Sequence, residues 1–252
     1  MTGTTGPVDQ RPTLDVTIVI SCFNQAAFIA EAVQSALDQT RRTLVYMVDD
    51  GSTDRSVQIA RDLGVECLEL PHRGALATFR AGVEGVTTPF YCLLNGDDVL
   101  DPRYVELTRP AMDDPRVGFV YTGFEWFGAA QKVVSAPPFD ARTLRWGNYA
   151  HAASLARKAA YESVGGFDER FSDYHEDWAL WLAMTRKGWL GVPVDQPLLR
   201  YRQHAGASRN PAGAARVEEA RWRLFRRDPG AYGATGMLRL AASRLKLAVT
   251  GR

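Results

Sequence analysis

From residue 15 to about 112 the chain alternates between short β-branched runs and stretches whose apolar residues recur at helical spacing. Residues 15–22, DVTIVISC, show no polar alternation after Thr17, the pattern of a strand covered on both faces. Asn24 follows as the expected N-cap of a helix carrying Ala26, Ile29, Ala30, Val33 and Leu37. A second strand, Thr43 to Val48, is followed by a helix with Val57, Ile59, Ala60 and Leu63, for which Asp54 is the expected cap. A short strand, Val65 to Leu70, precedes a helix-compatible stretch, Ala75 to Val83. Pro89 then opens the strand FYCLLN, and Asp101-Pro102 supplies a cap and first-turn proline for the next helix. Alternation of this kind predicts an α/β fold with a mainly parallel, right-handed, doubly wound central sheet flanked by helices.

The second half is less regular. Val117 to Thr122 reads as a strand, 129–150 as a Pro-rich excursion with aromatics, 154–164 and 177–188 as helices, and Pro197 to Tyr201 as a strand. Residues 215–227 and 236–249 read as terminal helices, and the polar MTGTTGPVDQRP start as a disordered lead-in. The length of 252 residues suits one large domain with a subregion. A net charge of +1 argues against nucleic acid as partner. Cys22, Cys67 and Cys92 are an odd, widely separated set without a CxxC, which predicts reduced thiols in a cytosolic protein rather than disulfides or a cysteine zinc site. No apolar run approaches the ~18 residues of a membrane span.

Three expected strands end in polar clusters: SCFN, DDGSTD and NGDD. In open α/β sheets, ligands bind beyond the carboxyl ends of the strands. Asp49, Asp50 and Asp54 around Gly51 serve as turn formers and a helix cap, or accept hydrogen bonds from a base imide or ribose hydroxyl. Asp97 and Asp98 are surplus to turn-making, since Asp101 already supplies the next cap. A few carboxylate oxygens completed by substrate phosphate and water suit a hard divalent cation. Glu176 and Asp177 precede an amphipathic helix, either as acids at its positive end or as a general base in a partly apolar setting. Arg202 and His204, two apart on a strand, share a face and have the chemistry to meet phosphate, with Ser208 nearby.

In order along the chain, VTIVISCFN, VDDGSTD, LLNGDD, VGGFDERF, HEDWALWLAM and YRQHAGAS resemble an inverting GT-A glycosyltransferase of family two, over about residues 14–208. The resemblance implies a Rossmann-like sheet with a smaller acceptor-side subregion and C-terminal helices. It divides the chain into a lead-in 1–13, a nucleotide-sugar-binding half 14–112, an acceptor-side half 113–210 and a helical extension 211–252. It implies that Ser21, Phe23 and Asn24 line the nucleotide pocket, and that Asp49 or Asp50 holds the base. Asn95, Gly96 and Asp97 would meet the nucleotide sugar together with Arg202. Asp97, Asp98 and His204 would hold a Mg or Mn ion, and Asp177, paired with Glu176, would be the catalytic base. The implied activity is transfer of a sugar from a nucleoside diphosphate sugar, UDP- or dTDP-linked, to a hydroxyl acceptor: a small molecule, a lipid-linked sugar or a peptide. Two positions depart from the family pattern. Asn95 stands where the first acid of Asp-x-Asp is usual, and Thr78-Phe79-Arg80 replaces Ala-Arg-Asn.

A dehydrogenase and a P-loop enzyme are disfavoured by the lack of GxGxxG and GxxxxGK[ST]. A sugar nucleotidyltransferase or a non-catalytic nucleotide-sugar-binding module are the alternatives. The segment MLRLAASRLKLAV puts Leu238, Ala241 and Leu245 on one side of a helix, which then packs on the domain, on a second copy as a homodimer, or peripherally on the inner membrane face.

Overall fold

The computed structural model describes residues 14–171, 175–204, 213–227 and 236–243; the lead-in, Ser208 and residues 244–249 lie outside these. Strand β1 (Val16–Cys22) lies inside the sheet, where its uninterrupted apolar run is satisfied on both faces. It pairs in parallel with β2 (Leu44–Asp49), and β3 (Glu66–Glu69) adds a further parallel strand beyond β2. The other edge of β1 pairs in parallel with β4 (Phe90–Asn95). Because side chains alternate faces, Ile18 and Ile20 join a core with Ile29, Ala32 and Val33 of α1 (Ile29–Leu37), to which α2 (Ser56–Asp62) adds Ala60. Val19 joins the opposite core with Leu76, Phe79 and Val83 of α3 (Ala75–Gly85). Full burial of each such aliphatic side chain stabilises the fold by about 1.5–3 kcal/mol. With β2 on one side of β1 and β4 on the other, the strand order reverses there, the point at whose carboxyl side open α/β sheets bind their ligands.

Beyond β4 the sheet becomes mixed. Its remaining strands are β5 (Val99–Leu100), β6 (Val117–Gly128), β7 (Lys132–Val134), β8 (Leu155–Arg157) and β9 (Leu190–Gln203), in the order β3-β2-β1-β4-β8-β6-β9-β5 with β7 paired to β6. Strand β8 is antiparallel to both β4 and β6, so β4 and β6 point the same way, and β9 runs parallel to β6. The helices of this half are α4 (Tyr104–Thr108), α5 (Ala141–Leu144), α6 (Lys158–Ser163), α7 (Glu176–Arg186) and α8 (Gly213–Arg227).

Helix α7 is buried from Glu176 to Met184. Trp181 stacks on Phe119 near the start of β6, with ring centroids 4.8 Å apart, and its Nε1 donates to the Ala150 carbonyl at 2.9 Å. Trp178 Nε1 donates to the Leu144 carbonyl at 2.6 Å, so the 129–150 excursion is fastened to this helix. Leu190, just past α7, pairs with Val117, the first residue of β6. The helix therefore ends at the amino edge of the sheet, and its eleven residues, about 16 Å long, carry Glu176 and Asp177 back toward the carboxyl edge.

Several local expectations are corrected. Asn24 is not the cap of α1: Phe28 holds that position, and the Asn24 side chain turns to the neighbouring loop. The Asp101-Pro102 helix starts at Tyr104, after a turn in which Asp101 accepts the Arg103 N–H. The segment 154–164 is strand β8 followed by α6, since three residues of strand are too few to show a period. Strands β6 and β9 outrun their expected ends because register shifts at Thr122–Phe124 break the alternation used to recognise them. In the helix over 236–243 the inward residue is Leu240, while Leu238 is 70% exposed. Arg239 stacks on Trp146 at 4.3 Å and Ser243 Oγ donates to Glu218, so this helix packs on the domain through another face.

Asp168 joins this C-terminal layer to the rest, 2.7 Å from Arg170 and 3.1 Å from Arg227 of α8. Desolvation pushes its carboxyl up, but hydrogen bonds from Arg170 and the nearby Arg227 outweigh this and hold it below the usual range. A depressed folded value means the stabilisation is present above the unfolded value of about 4 and is lost as pH falls through the folded one. Asp168→Asn is therefore expected to flatten the loss of stability between about pH 6 and about pH 3, measured by urea unfolding. Trp181→Ala is expected to cost about 3–5 kcal/mol in the same assay at neutral pH.

Candidate active site

The parallel register brings three strand ends level: Cys22 lies opposite Asp49, and Ser21 opposite Asn95. Beyond β1, the loop 23–28 is stapled to the loop after β2. The Asn24 N–H donates to Ser52 Oγ at 2.8 Å, Asn24 Oδ1 accepts the Thr53 N–H at 2.9 Å, and the Gln25 N–H donates to Ser56 Oγ at 2.8 Å. Asp54 accepts the Ala26 N–H at 2.9 Å and also the Ser56 N–H. Slight desolvation raises its carboxyl, but these bonds and the Ser56 hydroxyl outweigh that and lower it. Asp54 thus joins two loops, while the cap position of α2 falls to Arg55, which makes no side-chain cap bond, and not to the expected Asp54.

The adjacent acids Asp49 and Asp50 point into different turns. Asp49 accepts the Ser52 N–H at 2.7 Å and the Ser52 hydroxyl at 2.5 Å. Asp50 accepts the Arg73 and Gly74 N–H groups, each at 2.8 Å, and lies 2.8 Å from His72 Nδ1. Both carboxylates are buried, each shaping one loop at the cleft. Gly51 between them has φ +78°, and a Cβ there would stand 2.9 Å from the His72 backbone nitrogen, so only glycine fits without moving main chain. Phe23 is 40% exposed and stacks on His72 with ring centroids 4.2 Å apart and planes 19° apart. His72 carries no motif signal; only a histidine ahead of Arg73-Gly74 at a helix start hints at it.

At the end of β4, Asn95 bridges two neighbours: its Oδ1 accepts Ser21 Oγ at 3.4 Å and its Nδ2 donates to Asp98 Oδ2 at 3.1 Å. Gly96 lies so close to β1 that a Cβ would be 3.1 Å from the Ser21 carbonyl. Asp98 is buried, its Oδ1 accepting the Arg202 N–H at 2.9 Å. Asp97 faces the other way, and its Oδ2 lies 3.1 Å from His204 Nε2. The expected metal-ligating acids thus separate: Asp98 is turned into the protein, and Asp97 is paired with the imidazole. Arg202 directs its guanidinium to the Asp97 carbonyl at 2.8 Å and to the Glu31 carboxylate. Glu31 carries no sequence signal, because it sits on a helix surface and meets Arg202 only in the fold.

The altered segment is accounted for by packing. Phe79 is buried with Phe167, ring centroids 6.0 Å apart, and Arg80 pairs outward with Glu169 and Glu84. Burial pushes the thiols of Cys22 and Cys92 each up to about 12, so neither is a ready nucleophile at neutral pH. Asp177 is 2% exposed at the start of α7, its Oδ1 accepting the Trp178 N–H at 2.7 Å, and Glu176 is buried beside it. His175 ahead of them has φ +66°, a left-handed residue that turns the chain into the helix.

Among the described residues no group of three or more His, Cys, Asp or Glu side chains is gathered to hold a metal ion. One carboxylate and one imidazole, Asp97 and His204, still fit a divalent ion that draws its other ligands from a diphosphate and water. No described helix is long and apolar enough to cross a membrane.

A switch-point crevice with acids at its strand ends is the architecture of the GT-A glycosyltransferases, and solved structures agree. S. aureus TarS bound to UDP-GlcNAc superposes with a TM-score of 0.68 at 15% identity, covering 84% of this chain and 65% of that one. A mannosyltransferase from Pyrobaculum calidifontis, solved with GDP-Man and Mn2+, superposes with a TM-score of 0.63 at 16% identity, covering 98% and 80%. An uncharacterised glycosyltransferase of Rickettsia prowazekii is 25% identical over 214 residues, 78% of this chain and 66% of the relative. The chondroitin synthase of Pasteurella multocida is 26% identical over 194 residues, 69% of this chain and 19% of the relative. The chain thus spans less than two thirds of the length of the Rickettsia protein and of TarS. The description of glycosyl transferase family 2 matches residues 17–163, more than half of the chain. This chain belongs to glycosyl transferase family 2.

Asn95→Asp, which restores the usual first acid, is expected to destabilise the metal-free protein by about 1–3 kcal/mol at neutral pH, because two carboxylates then face each other. The introduced acid would titrate above its unfolded value, so the penalty is present at higher pH and fades as pH falls through that raised value. Urea unfolding at about pH 7 and about pH 5 checks both parts.

Proposed function

We propose that the protein transfers a sugar from a nucleoside diphosphate sugar, UDP- or dTDP-linked, to a hydroxyl acceptor in a single inverting displacement. The observation that carries this reading is the contact between Asp97 and His204, which joins the ends of β4 and β9 beside the nucleotide loops. Ser21, Phe23 and Asn24 lie where a base and ribose enter, with His72 extending the aromatic surface. Asn95 and Gly96 form the floor against β1, and Asp49 and Asp50 hold the loops. That TarS binds UDP-GlcNAc and the Pyrobaculum enzyme GDP-Man with Mn2+ supports a nucleotide sugar and a divalent ion here. Asp97 and His204 would hold the ion, Mg or Mn, which when bound supplies positive charge against the leaving diphosphate.

In this reading Asp177 takes the proton from the acceptor hydroxyl as its oxygen attacks the anomeric carbon. The bond from that carbon to the diphosphate breaks on the opposite face, its electron pair leaves with the diphosphate, and the anomeric configuration inverts. Glu176 sits beside Asp177 at the buried helix start, where packing restricts the motion of both side chains. The buried Trp178 and Trp181 keep α7 in place against the 129–150 segment. That segment, with β6 and β7, is the acceptor-side region in this proposal.

The test is a donor screen that follows nucleoside diphosphate release with Mg or Mn, with and without candidate hydroxyl acceptors. Asp177→Asn is expected to lower transfer by about 10²–10⁴-fold while nucleotide binding persists. Near-wild-type turnover would remove Asp177 from the base role, and binding without turnover on any acceptor would make the protein a binding module.

A further inference from the structure

Arg202 is engaged on several sides at once. Its guanidinium lies between two rings, 4.8 Å from the centroid of Phe28 and 4.2 Å from that of Phe127. Nε donates to the Asp97 carbonyl at 2.8 Å, an Nη group pairs with the Glu31 carboxylate, and the backbone N–H donates to Asp98 Oδ1 at 2.9 Å. Two residues on, the His204 ring lies 4.6 Å from the same Phe28 while its Nε2 meets Asp97 Oδ2. A guanidinium stacked in this way, with one Nη on an acid and its Nε on a carbonyl, is poorly placed to receive a phosphate.

We infer that Arg202 and Glu31 form a positioning pair that sets Asp97 and His204 in register with α1, an inference that rests on sugar transfer at this site. Phe28 and Glu31 belong to the start of α1, and the loop before it carries Phe23 and Asn24. The pair therefore makes the base end and the diphosphate end of the cleft one mechanical unit. Loss of either member leaves Asp97 and His204 in the chain but frees their relative orientation, and orientation errors of this kind cost rate rather than affinity.

Arg202→Gln, Glu31→Gln and the control Arg116→Gln, whose guanidinium pairs with Asp114 at the exposed surface, all in the full chain, separate the possibilities. The protein has four histidines, so the imidazole signals resolve by NMR, with His204→Gln assigning its own. Both pair variants are expected to shift the His204 imidazole signals at a temperature well below every Tm and to lower kcat by about tenfold or more, with donor KM within about threefold. Arg116→Gln is expected to leave the His204 signals where they are. A Glu31→Gln variant with tighter UDP binding, alongside an Arg202→Gln variant with a raised donor KM, would overturn the inference in favour of a direct phosphate contact. Unchanged His204 signals with only a lower Tm would overturn it in favour of a purely structural tie. Should no donor be turned over by the wild type, the NMR arm still reads the positioning, so the two readings fail separately.

Discussion

The parallel register of β1 between β2 and β4 is the constraint from which the rest of the cleft follows. It brings Ser21, Cys22, Asp49 and Asn95 level at one edge, and it leaves the loops after each strand to close over the same crevice. A strand in this position must be apolar on both faces, which VTIVISC is, so the fold and the location of the site share one cause. The loops themselves are ordered by side-chain to backbone hydrogen bonds. Asp49, Asp50 and Asp54 each satisfy N–H groups that a turn would otherwise leave without partners.

The acids of the cleft divide into two kinds. Asp49, Asp50 and Asp98 are buried and point at donors of the protein itself, so their charge is used to shape the chain. Asp97 is turned toward His204 and remains accessible to a ligand. Asn95 belongs with the first kind: a neutral amide can donate to Asp98 and accept from Ser21 at once, which a carboxylate cannot. The departure from the usual acid is thereby compensated within the strand end, and the segment 78–80 is compensated by core packing of Phe79.

The second half of the molecule is held together by aromatic side chains that keep a polar bond. Trp178 and Trp181 bury their rings in α7 and spend their N–H groups on carbonyls of the excursion that follows β7. Arg239 and Arg221 approach Trp146 from the C-terminal helices, so these helices press the same excursion from outside. The part of the segment around Trp146 is therefore held from two sides, by α7 and by the C-terminal helices.

The strand–helix alternation, the three polar strand ends and the family motifs were legible in the residues, because hydrophobic period and turn chemistry are local properties. That reading reached the parallel half of the sheet and the polar strand ends that the register brings level. It missed β5, β7 and β8, whose two or three residues are strands only through their partners, and it cut β6 and β9 short at a register shift. It treated Asp49 and Asp50 as interchangeable and Arg202 as a phosphate ligand. Which turn each carboxylate closes, and the pairing of Glu31 with an arginine 171 residues away, follow only once the sheet has brought those segments together. Local periodicity specifies the elements, whereas the partner of a charged side chain is chosen by distance in space, which the order of residues does not contain.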